Sequence, residues 1–177
     1  MRIVIRFVLA AAAALALTGC GILQGSAEER AAETERVAAL VQQRLDDRCY
    51  VVDIEFMSPL RGTRRALTSP YSISVDGTRF ASNLPYMGVA YNVPYGGGKV
   101  LTFEDDIEEY IEDFSQPDCR VVAFTTDNDE DYLLYRLEVY ANGKAYLRVS
   151  SRNREAIDYQ GSLNPDKDPW WREKEKK

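Results

Sequence analysis

Residues 132–151, YLLYRLEVYANGKAYLRVSS, decide the fold, because two strand-like runs meet there at Asn142-Gly143. A two-residue type I′ turn needs positive φ at both central positions, which Asn, Asp and Gly tolerate and most residues do not. The dipeptide therefore predicts a hairpin between strands over 132–140 and 145–151. Asp76-Gly77 repeats the signal between runs at 71–75 and 79–83. Strands joined by turns this short are antiparallel.

Working outward, strand-like runs bounded by turn residues recur at 50–57, 100–103, 120–126 and 156–159,. One segment is ambiguous. Ile107, Tyr110, Ile111 and Phe114 sit at helical spacing, whereas Gln116-Pro117-Asp118 has the composition of a hairpin turn,. Upstream, Glu28 to Asp47 reads as a helix whose apolar stripe is Val37, Leu40, Val41 and Leu45, with acidic residues at its start and Arg44 near its end,. That stripe is narrow and the other faces are polar, so the helix needs a surface to lie on. The expected fold class is α+β: one N-terminal helix packed on a single curled antiparallel meander sheet of about seven to nine strands.

The chain begins with Arg2 and Arg6 and continues with an almost pure Ala/Leu run from Val8 to Leu17, the pattern of a secretory signal and too short for a membrane span,. The run ends in Leu17-Thr18-Gly19-Cys20, which resembles the lipobox of bacterial lipoproteins. That resemblance implies cleavage before Cys20 and acylation of its thiol, giving a membrane partner through the acyl anchor alone. Gly21 rather than Asp follows the Cys, which by the sorting rule of enteric bacteria directs the protein to the outer membrane, facing the periplasm. The expected organisation is a signal peptide over 1–19, a tether over 20–27, one domain over 28–163 and a mobile tail over 164–177. Roughly 130 residues suffice to bury a core without help from metal or oligomer.

With Cys20 set aside, Cys49 and Cys119 remain as an even pair in a chain read as exported,. They are expected to form a disulfide; closing a loop of this size constrains the unfolded chain by roughly 4 kcal/mol. The alternative is two thiols buried as small hydrophobes. Histidine is absent, which removes the commonest general base and zinc ligand,. A net charge of −6 argues against nucleic acid as a partner,.

Two segments carry a family resemblance. Residues 84–98, LPYMGVAYNVPYGGG, and residues 141–163, ANGKAYLRVSSRNREAIDYQGSL, are similar to the Leu-Pro-Tyr segment and the closing hairpin of domain of unknown function 4251, a family of envelope proteins in Bacteroidetes and their relatives. Ser58-Pro59 and Tyr71 agree more weakly, and Met87 stands where an aromatic residue is common. The resemblance implies a strand rather than a helix around Tyr110. It implies no catalytic activity, since none is known for the family.

Within residues 84–98, Tyr86, Met87, Tyr91 and Tyr95 lie among prolines and glycines. They read either as an aromatic recognition surface or as a structural corner capping the sheet. The acidic run Asp127–Asp131 lacks the spacing of a calcium loop and reads as a solvated turn, and no serine sits in a nucleophile elbow,. Arg152, Asn153 and Arg154 read as an anion site or, equally, a turn with solvated arginines. No metal and no cofactor are expected. The favoured function is a non-catalytic binding or assembly module with an envelope protein as partner; the alternative is a carrier of a small apolar ligand or glycan in a cavity of the curled sheet.

Overall fold

The computed structural model describes residues 27–91, 101–116, 118–127 and 131–175. Cys20 and Tyr95 lie outside them. The chain divides into two compact units between Arg36 and Val37. In the first, residues 27–36 open helix α1 (Ala27–Asp46) and are exposed, with Arg36 donating to Glu33 at 2.9 Å.

The second unit holds the rest of α1, nine strands and a short helix. The strands are β1 (Cys49–Pro59), β2 (Arg65–Asp76), β3 (Arg79–Asn83), β4 (Thr102–Asp106), β5 (Glu109–Asp113), β6 (Cys119–Asp127), β7 (Tyr132–Tyr140), β8 (Lys144–Ser151) and β9 (Ile157–Leu163). They form one antiparallel sheet in the order β4-β3-β2-β1-β9-β8-β7-β6-β5. Two meanders therefore run outward and back, joined where the first and last strands pair, Val52 opposite Leu163. This matches the fold class read from the sequence.

The sheet curls far enough that Phe80 of β3 meets Phe124 of β6 at 5.0 Å between ring centroids, although five strands, β2, β1, β9, β8 and β7, separate them in the sheet. Tyr135 stacks on Phe124 at 5.0 Å and completes the centre of the core. The period-2 alternation of β7 puts Leu133, Tyr135, Leu137 and Val139 inward, and β8 answers with Ala145, Leu147 and Val149,. Between the edge strands the chain at Ile107 and Glu108 stitches the curl shut, the first amide donating to Thr78 O at 2.7 Å and the second to Thr125 O at 3.0 Å. Both edge strands are acidic: Glu104, Asp105 and Asp106 on β4, Glu109, Glu112 and Asp113 on β5. Charge on an exposed edge discourages pairing with another chain.

The last turns of α1 bury Val41 and Leu45 in the same core. Arg120, 8 % exposed, locks them there by donating to Asp46 at 2.6 Å and to Gln42 at 2.8 Å. The helix stops at Arg48, whose φ of 47° is the left-handed turn of a helix C-terminus,.

The disulfide expectation fails. Cys49 and Cys119 are free thiols. β9, β8 and β7 stand between their strands, about 19 Å along the sheet at the usual strand spacing, whereas a bridge needs Cα atoms within about 7 Å,. Cys119 instead points its thiol at Gln116 Oε1, 3.0 Å away. Burial pushes both thiols above the ordinary cysteine range, which keeps them protonated and unreactive at neutral pH,.

The tail read as a mobile extension is docked through residue 175. Lys167 reaches Asp53 at 2.6 Å, Arg44 reaches Asp168 at 2.7 Å, and helix α2 (Trp170–Glu175) buries Trp171 to 4 % exposure. Asp76 anchors it, accepting from Trp171 Nε1 at 2.9 Å and from Arg172 Nε at 2.7 Å. The hydrogen bonds from Arg172, then that from Trp171, hold the Asp76 carboxyl below the usual aspartate range. A depressed folded value means that this contribution to docking is complete above the unfolded pKa, about 4, and disappears as pH falls through the lower folded value. Acidification below about pH 4 is therefore expected to red-shift tryptophan emission before the sheet melts, and Asp76→Asn should bring the same shift at neutral pH. Emission that stays unchanged in Asp76→Asn would show that this carboxylate does not hold the tail.

Candidate functional site

After β3, Leu84 still bonds to the neighbouring chain, its amide donating to Leu101 O at 3.1 Å. Pro85 has no N–H to continue the ladder, so the chain leaves the sheet there. Its carbonyl accepts the Tyr159 hydroxyl at 2.7 Å. Tyr86 folds back across Gly88, where a Cβ would fall 2.5 Å from the tyrosine oxygen. A side chain at 88 would therefore have to displace the Tyr86 ring. The Tyr86 hydroxyl lies within hydrogen-bonding distance of two carbonyls, Glu155 O at 3.0 Å and Val89 O at 3.2 Å. Burial, then the nearby Glu155, raises its pKa, so it remains a donor at neutral pH.

Residues 89–91 then run alongside 153–155. Glu155 N donates to Val89 O at 3.0 Å, Tyr91 N donates to Asn153 O at 2.7 Å, and Ala90 faces Arg154 across an antiparallel bridge. Beneath this stretch lies a charge cluster that the sequence did not reveal. Asp131, Arg154 and Glu155 are each 5 % exposed or less. Glu155 takes Arg61 at 3.0 Å on one carboxylate oxygen and the Val89 amide at 3.3 Å on the other. Asp131 accepts the Ser151 hydroxyl and lies 4.0 Å from Arg154 Nε. Breaking such a cluster by removing one partner leaves a buried charge uncompensated. Its role is to fix the loop's register on the sheet. The Ser151–Asp131 contact has no imidazole to relay a proton, because the chain contains no histidine,.

The residues singled out from the sequence thus divide. Tyr86 is a structural prop, half-buried. Met87 and Tyr91 point outward, 38 % and 68 % exposed, and Val89 joins them at 47 %. A solvated turn was expected around Asp131 and a solvated or anion-binding arginine at 154; both are interior. No local signal distinguishes these charges from the exposed Asp127 or Arg152, since their partners come from other strands. The concave side of the sheet, where a carried apolar ligand would sit, is filled at its centre by Phe80, Phe124 and Tyr135.

Among solved structures, the chain is similar to a crystal structure of a DUF4251 family protein from Bacteroides eggerthii, with a TM-score of 0.58 and 16 % identity over 76 % of this chain and 91 % of that one. At that identity the likeness speaks for the fold. No curated protein matches. The sequence model of the family described as domain of unknown function (DUF4251) matches residues 31–163, from within α1 to the end of β9. With that span covered, the chain belongs to the DUF4251 family.

Proposed function

We propose that the protein is a lipid-anchored, non-catalytic recognition module of the cell envelope, held at the outer membrane through Cys20 and facing the periplasm, which docks an envelope protein on the Met87–Tyr91 stretch. The observation that carries the docking surface is a contrast within five residues. The backbone of 86–91 is pinned to 153–155, while Met87, Val89 and Tyr91 are held out in water. Rigid, exposed apolar side chains lose little conformational entropy on binding, which is what a recognition surface requires. The anchor is supported by Leu17-Thr18-Gly19-Cys20 at the end of the apolar run, and the absence of histidine supports a non-catalytic role. Among the described residues no helix is long and apolar enough to cross a membrane.

Mass spectrometry of the membrane fraction is expected to find a mature N-terminus at an acylated Cys20, and Cys20→Ser to release the protein from membranes. An unmodified Cys20 in the wild type ends the anchor proposal. For docking, a photo-crosslinker at Tyr91 should capture a discrete envelope partner. Met87→Ala combined with Val89→Ala, in the chain carrying that crosslinker, should lower capture about tenfold while moving Tm by only about 2 °C, as exposed substitutions do. Undiminished capture would dismiss this surface.

A further inference from the structure

The geometry points to a saccharide-binding groove on the outer face of β2–β4, walled by Trp170 of the docked tail. The groove is an open depression of about 560 Å³, a volume within the range of about 300–1,000 Å³ usual for ligand pockets,. Its floor follows from register. Ser74 pairs with Ala81, which pairs with Glu104, and Ser72 pairs with Asn83 in the next row. Small side chains on adjacent strands sink the sheet surface there, and their hydroxyls line the depression. Ser74 is only 6 % exposed and lines the groove. A hydroxyl on the groove floor can donate to and accept from a ligand hydroxyl.

Trp170 stands at the side of this floor, 39 % exposed. It is not loose. Trp171 beside it is buried and bonded to Asp76, Arg79 lies 4.5 Å over the Trp171 ring, and Lys174 Nζ sits 4.2 Å over the Trp170 ring. A large aromatic is thus fixed in place with part of its surface turned to the groove. Glu104 offers carboxylate oxygens, and its charge is offset by Arg79 at 3.3 Å.

The chemistry selects among ligands. An apolar guest would cover the Ser72 and Ser74 hydroxyls without pairing them, and an anion would meet Glu104 as well as Arg79,. A neutral sugar ring has an apolar C–H face for the indole and hydroxyls that donate and accept for Ser72, Ser74, Asn83 and Glu104. The ligand class is a neutral oligosaccharide. The groove is independent of the Cys20 anchor and of Met87 and Tyr91, so its test stands apart from partner capture.

The test is calorimetric titration of the full mature protein in detergent with maltotetraose, cellotetraose and chitotetraose. At least one is expected to bind saturably, with a dissociation constant of about 1 mM or tighter. Trp170→Ala should weaken that binding tenfold or more with an unchanged melting temperature. If that variant also loosens the tail, Asn83→Ala, which leaves the tail untouched and removes on the protein side only the exposed hydrogen bond to Pro70 O, should weaken binding about fivefold,. The proposal is overturned if none of the three sugars binds, or if a sugar binds as well to Trp170→Ala and to Asn83→Ala as to the wild type.

Discussion

Replacing Gly161 with alanine is expected to cost about 3 kcal/mol or more, a fall in Tm of roughly 10 °C, because the new methyl has nowhere to go. A Cβ at this position would lie 1.9 Å from Asp53 O and 2.9 Å from Ile54 Cα, both backbone atoms that no rotamer change can move. The crowding comes from the irregularity in β1 between Ile54 and Phe56, which bends that strand over β9 just where Gly161 faces Ile54. A glycine inside a strand commonly marks such an approach of backbone on backbone. Gly77 provides the control. Its φ is +63° but no atom lies within 4 Å of its would-be Cβ, so Gly77→Ala should cost only the left-handed penalty, about 1–2 kcal/mol,. Chemical denaturation of both variants gives the comparison, and a Gly161→Ala cost no greater than that of Gly77→Ala would refute the steric account.

Phe124→Ala should be comparably severe, at about 3–5 kcal/mol. Its ring is 1 % exposed and packs edge-on against Phe80 and face-on against Tyr135, both at 5.0 Å between centroids. Deleting it would remove the contact by which β6 meets β3 across the curl, and the aromatic partners on either side cannot both move into the space. Ile111 lies two strands away from Tyr135 on β5 but is 61 % exposed, so Ile111→Ala should change stability by about 0.5 kcal/mol or less,. Equal effects in the two variants would mean that the core is not centred on this ring cluster.

The comparison of sequence with structure turns on how local each signal was. Asn142-Gly143 and Asp76-Gly77 placed their hairpins correctly, but the turns are not type I′, since only the glycines take positive φ, 80° at Gly143 and 63° at Gly77, while Asn142 and Asp76 do not,. The segment from Ile107 to Phe114 shows the opposite case. Its helical spacing presumed that four apolar residues share one buried stripe, yet Ile107 is the stitch, Tyr110 faces inward, and Ile111 and Phe114 are exposed. The family resemblance, not periodicity, identified the strand there. β4 was read two residues early because Glu104, Asp105 and Asp106 do not look like a strand, although acid suits an unpaired edge,.

Long-range partners account for the remaining errors. Trp171 finds its hydrogen-bond acceptor 95 residues away, so a tail of prolines and charges gave no sign that it docks. Counting cysteines to an even number says nothing of the three strands that separate Cys49 from Cys119. In the candidate site, Tyr86 serves as a structural corner while Met87 and Tyr91 stay exposed, a division within residues 84–91 that composition alone does not give.

The pairing of β1 with β9 also sets a timetable. Val52 can meet Leu163 only once nearly the whole chain is available, so the middle of the sheet is its last part to be completed, and closing so long a segment makes folding slow,. A ribosome or translocon still holding the final strand therefore holds an unfinished molecule, with each meander exposing its inner strand. On the export proposed above, this delay keeps the chain threadable until its C-terminus has crossed the membrane, and it makes the last thirty or so residues, rather than the first, the ones whose truncation would leave an aggregation-prone remnant.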